Sequence, residues 1–200
     1  TEVERLLQKH PTELPGAFTA DPEKAAALWL VRKGILPSVG GLRKTGTSLL
    51  IEDVAVLIEK LADAALDLQA LFAKHEYTVA PVFGHARDGN LHFVITQDFS
   101  SEQEVARYAA FMDDLCTTIT SKYDGSLKAE HGTGRNIAPF VEMEWGTAAF
   151  KLMHAIKKLL DPSGILNPGV VLNSDSRSHL KNLKPQHPAA ESIDKCMECG

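Results

Sequence analysis

The stretch GHARDGNLH, residues 84–92, carries a histidine on each side of a run that reads as a tight turn. Asp88-Gly89 is the dipeptide of a two-residue hairpin loop, because both central residues of that turn need positive φ. Pairing outward from it sets Arg87 against Asn90, Ala86 against Leu91 and His85 against His92. Directly opposed residues have Cβ atoms about 5 Å apart, a separation from which two imidazole nitrogens converge on one metal ion at about 2.1 Å. Farther along, LKAEHGTGR places Glu130 at the end of a strand-like run and His131 at the start of a glycine-rich turn. A His₂Glu set with an open coordination position does Lewis-acid chemistry. A lone histidine on a strand is more often structural, and the spacing alone leaves open whether Glu130 reaches the pair.

The elements that must position these residues follow from periodicity. DPEKAAALWLVRKGI reads as a helix over about 22–35 with an Asp-Pro start, and PSVGGLRKTGTS as a mobile glycine-rich loop. LLIEDVAVL is β-rich, IEKLADAALDLQALFAKH is a long amphipathic helix, and YTVAPVFGH and LHFVITQ form the arms of the hairpin. SEQEVARYAAFMDDLCTTITSKY is a second long helix, and GSLKAE a last short strand. The order βαββαβ defines an α+β, ferredoxin-like split βαβ antiparallel sheet with helices on one face, plus flanking helices. Strand parity puts Ala80, Val82, Leu91, Phe93 and Ile95 on the helix-covered side, and Phe83, His85, His92, Val94 and Thr96 on the side left open. Cys116 reads as core. His10, His75, His154, His179 and His187 lie outside any constellation and read as surface residues.

Composition excludes several classes. Two hundred residues with net charge −5 and scattered basic residues make no nucleic-acid footprint. No apolar run approaches a membrane span, no signal peptide opens the chain, and cytoplasm is the default compartment. Three cysteines without regular spacing argue against a disulfide framework. Cys196 and Cys199 in CMEC form half of a metal or iron–sulfur motif, and with the mid-helix opening TEVERLLQKH they give the chain the look of a piece of something longer. The expected organisation is an N-terminal helix and linker over 1–23, the main domain over 24–173, and a polar linker over 174–200, poorly ordered unless docked.

GHARDGNLH, KAEHGTGR and LLDPSGILNPGVVL, in that order and at those separations, resemble the C-terminal cap domain of FAD-linked oxidases, the family of D-lactate dehydrogenases, glycolate oxidase flavin subunits and D-2-hydroxyglutarate dehydrogenases. ALWLVRKGI and IEDVAV resemble earlier landmarks of that family, and CMECG the start of an iron–sulfur extension. The resemblance implies that an N-terminal domain holds FAD while this one supplies metal and substrate groups. His85, His92 and Glu130 would bind a divalent ion, Zn or Mn. His131 would take the hydroxyl proton of a small 2-hydroxy acid, Arg32 would pair with its carboxylate, and Asn167 would lie toward the flavin. Cys196 and Cys199 would ligate an iron–sulfur cluster that passes electrons on, with peripheral membrane association through the acceptor, and a homodimer, as the assemblies to consider. Val94 stands where dicarboxylate-handling relatives carry a polar residue, which favours D-lactate or a larger apolar hydroxy acid over 2-hydroxyglutarate. The competing readings are a non-catalytic metal-binding or interaction module, and a flavoenzyme of the same fold without net redox, as in alkylglycerone-phosphate synthases.

Overall fold

The computed structural model describes residues 2–10, 19–185 and 193, so Cys196, Cys199 and His187 lie outside the described residues. The chain forms two compact units, Thr1–Ser38 and Val39–Gly200. The first holds α1 (Glu2–Lys9) and α2 (Pro22–Lys33). Asp21 caps α2 by accepting from the Glu23 N–H at 2.9 Å, Pro22 presets the first helical φ, and the Gly34 N–H closes the last turn on Leu30. The segment expected to be a mobile loop instead begins as α3 (Ile35–Leu42). Its apolar positions outweigh the two glycines, each of which costs a helix about 1 kcal/mol relative to alanine.

The second unit is built on β1 (Ser48–Ala55), α4 (Leu61–Lys74), β2 (Val82–His85), β3 (Asn90–Gln97) and α5 (Glu102–Thr117). The antiparallel sheet has the order β1-β3-β2, so β3 lies in the middle. Ser101 caps α5 through the Glu104 N–H. Leu91, Phe93 and Ile95 of β3 and Val54 of β1 pack beneath Ala64, Leu68 and Phe72 of α4 and Tyr108, Phe111, Met112, Leu115 and Cys116 of α5. Burying each large side chain of this kind contributes roughly 1.5–3 kcal/mol. The α+β architecture is therefore the expected one, with Cys116 in its core. After a π-helical turn at Thr118–Lys122 the chain continues through α6 (Gly134–Ile137) to α7 (Val141–Leu160), whose helical path is interrupted at Gly146.

Three local expectations change. The run 125–130 is not a strand: only Ser126 pairs with β1, through two bonds to Ala55, at the edge where a ferredoxin-like fold puts its fourth strand. Beyond Ser126 the backbone N–H groups of Ala129, Glu130 and His131 go to the Asp53 carboxylate, which draws the chain off the sheet edge. The hairpin also differs, since Phe83 opposes His92 and His85 opposes Asn90. The loop is a 3₁₀ turn over Ala86–Asp88 ended by Gly89, the residue there with positive φ (66°), so the two left-handed residues of a type I′ turn are not present. The register differs from the expected one by two residues, and an even slip preserves which side chains share a face. Lastly, His75 and His179 are buried rather than on the surface: His75 pairs with Asp114 at 2.6 Å, and His179 sits against Phe140 in a 3₁₀ turn, Ser178–Leu180, part of the segment expected to be poorly ordered unless docked, whose Leu180 packs on the core.

Gly89 ties the hairpin turn to the end of β1, its carbonyl accepting from the Val56 N–H at 2.9 Å. A β-carbon there would lie 1.9 Å from the Val56 carbonyl oxygen. Gly89→Ala therefore combines a steric clash with left-handed strain of about 1–3 kcal/mol. Its melting temperature, followed by circular dichroism, should fall by about 5 °C or more.

Candidate metal centre

His92 is the third residue of the central strand, with a neighbour on each side: Asp53 on β1 and Phe83 on β2. His85 ends β2 and lies diagonally across from His92, the two rings meeting edge-on at 5.4 Å. Because the parity is right, both rings rise from the sheet face opposite α4 and α5. Glu130 reaches them from the turn after Ser126, its Oε1 lying 2.9 Å from His92 Nε2 and 3.3 Å from His85 Nε2. These three donors lie within 4.8 Å of one another. Donors bound tetrahedrally at about 2.1 Å are about 3.4 Å apart, so the set fits one divalent ion with coordination positions left open. The face is not bare, however: Asn90, His92 and Val94 are buried, and the turn 129–131 is anchored across it.

Burial is the main reason that His92 titrates below the ordinary histidine value of 6.5; His131 and His85 push the same way, while Glu130 and Asp53 oppose them. The imidazole is therefore neutral, the form that binds a metal, at neutral pH. His131 stacks on His92 at 4.8 Å between ring centres, and its Nδ1 is 3.6 Å from Asp53 Oδ1. Neighbouring residues in a strand point to opposite faces, yet Glu130 and His131 both serve this site because the chain here is a turn, continued by Gly132 at φ 74°. Beside His131 an open cleft of about 510 Å³ is lined by Ile51, Glu52, Lys128, Thr133, Arg135 and Asn136.

Two further residues are assigned through the family resemblance. Arg32 lies on α2 in the first unit, exposed, its guanidinium 5.5 Å from the centre of the Trp29 ring. Asn167 adopts φ 45° in the loop after α7 and lines a cleft of about 450 Å³ with Met153, Ile156, Leu160 and Leu172. Asp161 shapes that loop by accepting from Lys157 and from the Leu166 and Ile165 N–H groups, which hold its carboxyl down to about 2.

Sequence reasoning missed Glu52 and Asp53. Glu52 is buried on the helix-covered side, where Lys128 forms an ion pair with it and the Asn136 amide donates to it at 2.8 Å. Asp53, fully buried, accepts three backbone N–H bonds at 3.1, 2.6 and 3.2 Å. Two consecutive acids inside the β-rich run LLIEDVAVL were the available signal, since buried carboxylates occur where something pairs with them.

Over residues 1–171 the sequence matches the family described as FAD linked oxidases, C-terminal domain, and the chain belongs to that family. It is 32% identical over 159 residues to glycolate oxidase subunit GlcD of Bacillus subtilis (strain 168), covering 79% of this chain and 33% of that one. It is 33% identical over 176 residues to the mitochondrial D-lactate dehydrogenase [cytochrome] of Arabidopsis thaliana, covering 85% and 29%. With D-2-hydroxyglutarate dehydrogenase of Stutzerimonas stutzeri (strain A1501) the identity is 28% over 160 residues, covering 79% and 33%. The chain thus spans about a third of the length of these curated relatives. Among the described residues no helix is long and apolar enough to cross a membrane.

Purified protein incubated with Zn²⁺ or Mn²⁺ and then dialysed should retain the ion, and the double variant His85→Ala, His92→Ala should not. Equal metal in both by elemental analysis would remove the site. In the metal-free protein the lowered His92 value has a definite sign. The unfolded imidazole takes up a proton first, so the contribution of His92 to stability is complete above 6.5 and is lost as pH falls from there through the folded value. His179, lowered chiefly by burial, acts in the same direction. Melting temperatures measured in EDTA should fall from about pH 7.5 to about pH 5.5, and His92→Gln should flatten part of that fall.

Proposed function

We propose that this chain is the metal- and substrate-binding part of an FAD-dependent dehydrogenase that oxidises a D-2-hydroxy acid to the 2-oxo acid. The observation that carries the reading is the placement of His131 between a His₂Glu set and an open cleft with Lys128 and Arg135 on its wall. Oxidation of a secondary alcohol must remove a proton from oxygen and a hydride from C2. His131 takes the proton, and the Arg135 guanidinium on the cleft wall favours a carboxylate beside it. His85, His92 and Glu130 would hold a divalent ion, whose charge would lower the cost of an alkoxide developing on the substrate. FAD, held mainly outside this chain, would supply the hydride acceptor; Asn167 is the residue assigned to its side and Arg32 to the substrate carboxylate.

A small monocarboxylate such as D-lactate suits the site better than a dicarboxylate, because apolar Val94 lies one strand repeat beyond His92 on the same face. In the complete protein, Cys196 and Cys199 would ligate an iron–sulfur cluster that carries electrons to an acceptor. A cytoplasmic enzyme, meeting that acceptor at a membrane surface and pairing as a homodimer, is the arrangement proposed.

The experiment separates base from ligand. In the complete, FAD-loaded protein, His131→Ala should keep its metal while turnover of D-lactate falls by about 10²–10⁴-fold, the range for a removed general base. Glu130→Ala should lose metal and turnover together. A His131→Ala protein stripped of metal beside a Glu130→Ala protein that keeps it would reverse the two roles. Unchanged turnover in both would leave the non-catalytic metal-binding module as the better reading.

A further inference from the structure

We infer that Asp53 is the positioning residue of this site, a single carboxylate that sets the ring orientation of both His92 and His131 and holds the turn that carries Glu130. The inference rests on the reading of His131 as the base. Asp53 Oδ2 is saturated by the N–H groups of Ala129, Glu130 and His131. Oδ1 is buried without a hydrogen-bond partner, and so is His92 Nδ1. Asp53, His92 and His131 nevertheless bring one donor atom each within 4.8 Å of the others, with His131 Nδ1 3.6 Å from Oδ1. The other cation in reach, Lys128, stands 3.7 Å from Oδ1 and is already paired with Glu52.

Asp53 Oδ1 and His92 Nδ1, each buried without a hydrogen-bond partner, are costly vacancies that a hydrogen bond drawn up on loading would fill. Functional hydrogen bonds are often long in unliganded sites and tighten when the site is loaded. A metal-binding histidine almost always donates its second ring N–H to a carboxylate, carbonyl or water, which fixes the nitrogen that faces the metal. For His92 the nitrogen facing Glu130 is Nε2, so the one that must carry the proton is Nδ1. The same logic applied to His131 puts its proton on Nδ1, toward Asp53, and leaves Nε2 as the basic atom. Without the carboxylate the proton is free to move to Nε2, and the base is then lost although the ring remains.

The test uses the complete protein, labelled with ¹⁵N at histidine and titrated with Zn²⁺. In the wild type, His131 should show a protonated Nδ1 and a free Nε2, and one Zn²⁺ should bind per chain. Asp53→Asn keeps a carbonyl oxygen for the three backbone N–H groups but turns an amide NH₂ toward the rings. It should shift the His131 proton to Nε2, weaken Zn²⁺ about 10–100-fold, and lower kcat for D-lactate by about 10²–10⁴-fold with KM within a few fold. An Nε2-protonated His131 in the wild type overturns the inference, and needs no variant to fold. A second Zn²⁺ that binds the wild type and is lost in Asp53→Asn overturns it as well, since Asp53 would then be a ligand of that ion. So does an Asp53→Asn protein with unchanged tautomer and Zn²⁺ affinity. Wild-type protein that binds Zn²⁺ but oxidises no 2-hydroxy acid overturns the dehydrogenase reading instead, and the tautomer and Zn²⁺ measurements then decide Asp53 by themselves.

Discussion

The Asp53 carboxylate stands with no exposed surface in a strand, beneath a turn whose three successive N–H groups converge on one of its oxygens. A buried carboxylate without such partners would be prohibitively expensive, and hydrogen bonds to a charged group are each worth about 1.5–3 kcal/mol. Charge and turn therefore require each other. The same three bonds end the pairing that would have continued a fourth strand past Ser126, and they turn the chain so that consecutive residues, Glu130 and His131, face one side. Neighbouring Glu52 works in the opposite direction through the sheet, tying Lys128 and Asn136 to its helix-covered side. Two adjacent acids thus pin the turn from both faces of β1.

The sheet supplies the rigid half of the site. β3 is paired along both edges, and its inward residues Leu91, Phe93 and Ile95 are locked under α4 and α5, with Phe72 and Phe93 rings 5.3 Å apart. His92 inherits that rigidity, and its burial keeps it neutral. His85, at the end of the shorter strand, and Glu130, on a turn, are more exposed. A buried, preset imidazole joined by two more accessible donors is an arrangement that an ion can enter and complete.

The C-terminal part of the chain is organised by similar local rules. Asp161 closes α7 by accepting from two backbone N–H groups and Lys157, and the loop that follows carries Asn167 over an apolar cleft. Leu180 and His179 then return to the core near Tyr108 and Phe140. Apolar packing outweighs the polarity of a segment whose composition reads as a linker, as tertiary context commonly does for propensity.

The amino-acid sequence by itself determined the α+β order, the identity of the core face and the face on which the histidines stand, because period-2 and period-3.6 patterns are properties of neighbouring residues. It also carried the donor types, since imidazoles and carboxylates are recognisable whatever their partners. Register escaped it by two residues: the Asp88-Gly89 dipeptide signals a two-residue turn, but the bond between Gly89 and Val56, distant in sequence, selects a longer one. The fourth strand and the role of Asp53 escaped for the same reason. Whether the N–H groups of 129–131 go to a strand edge or to a carboxylate is a competition between groups some 76 residues apart. Only the folded chain, in which that carboxylate has no water to turn to, decides it.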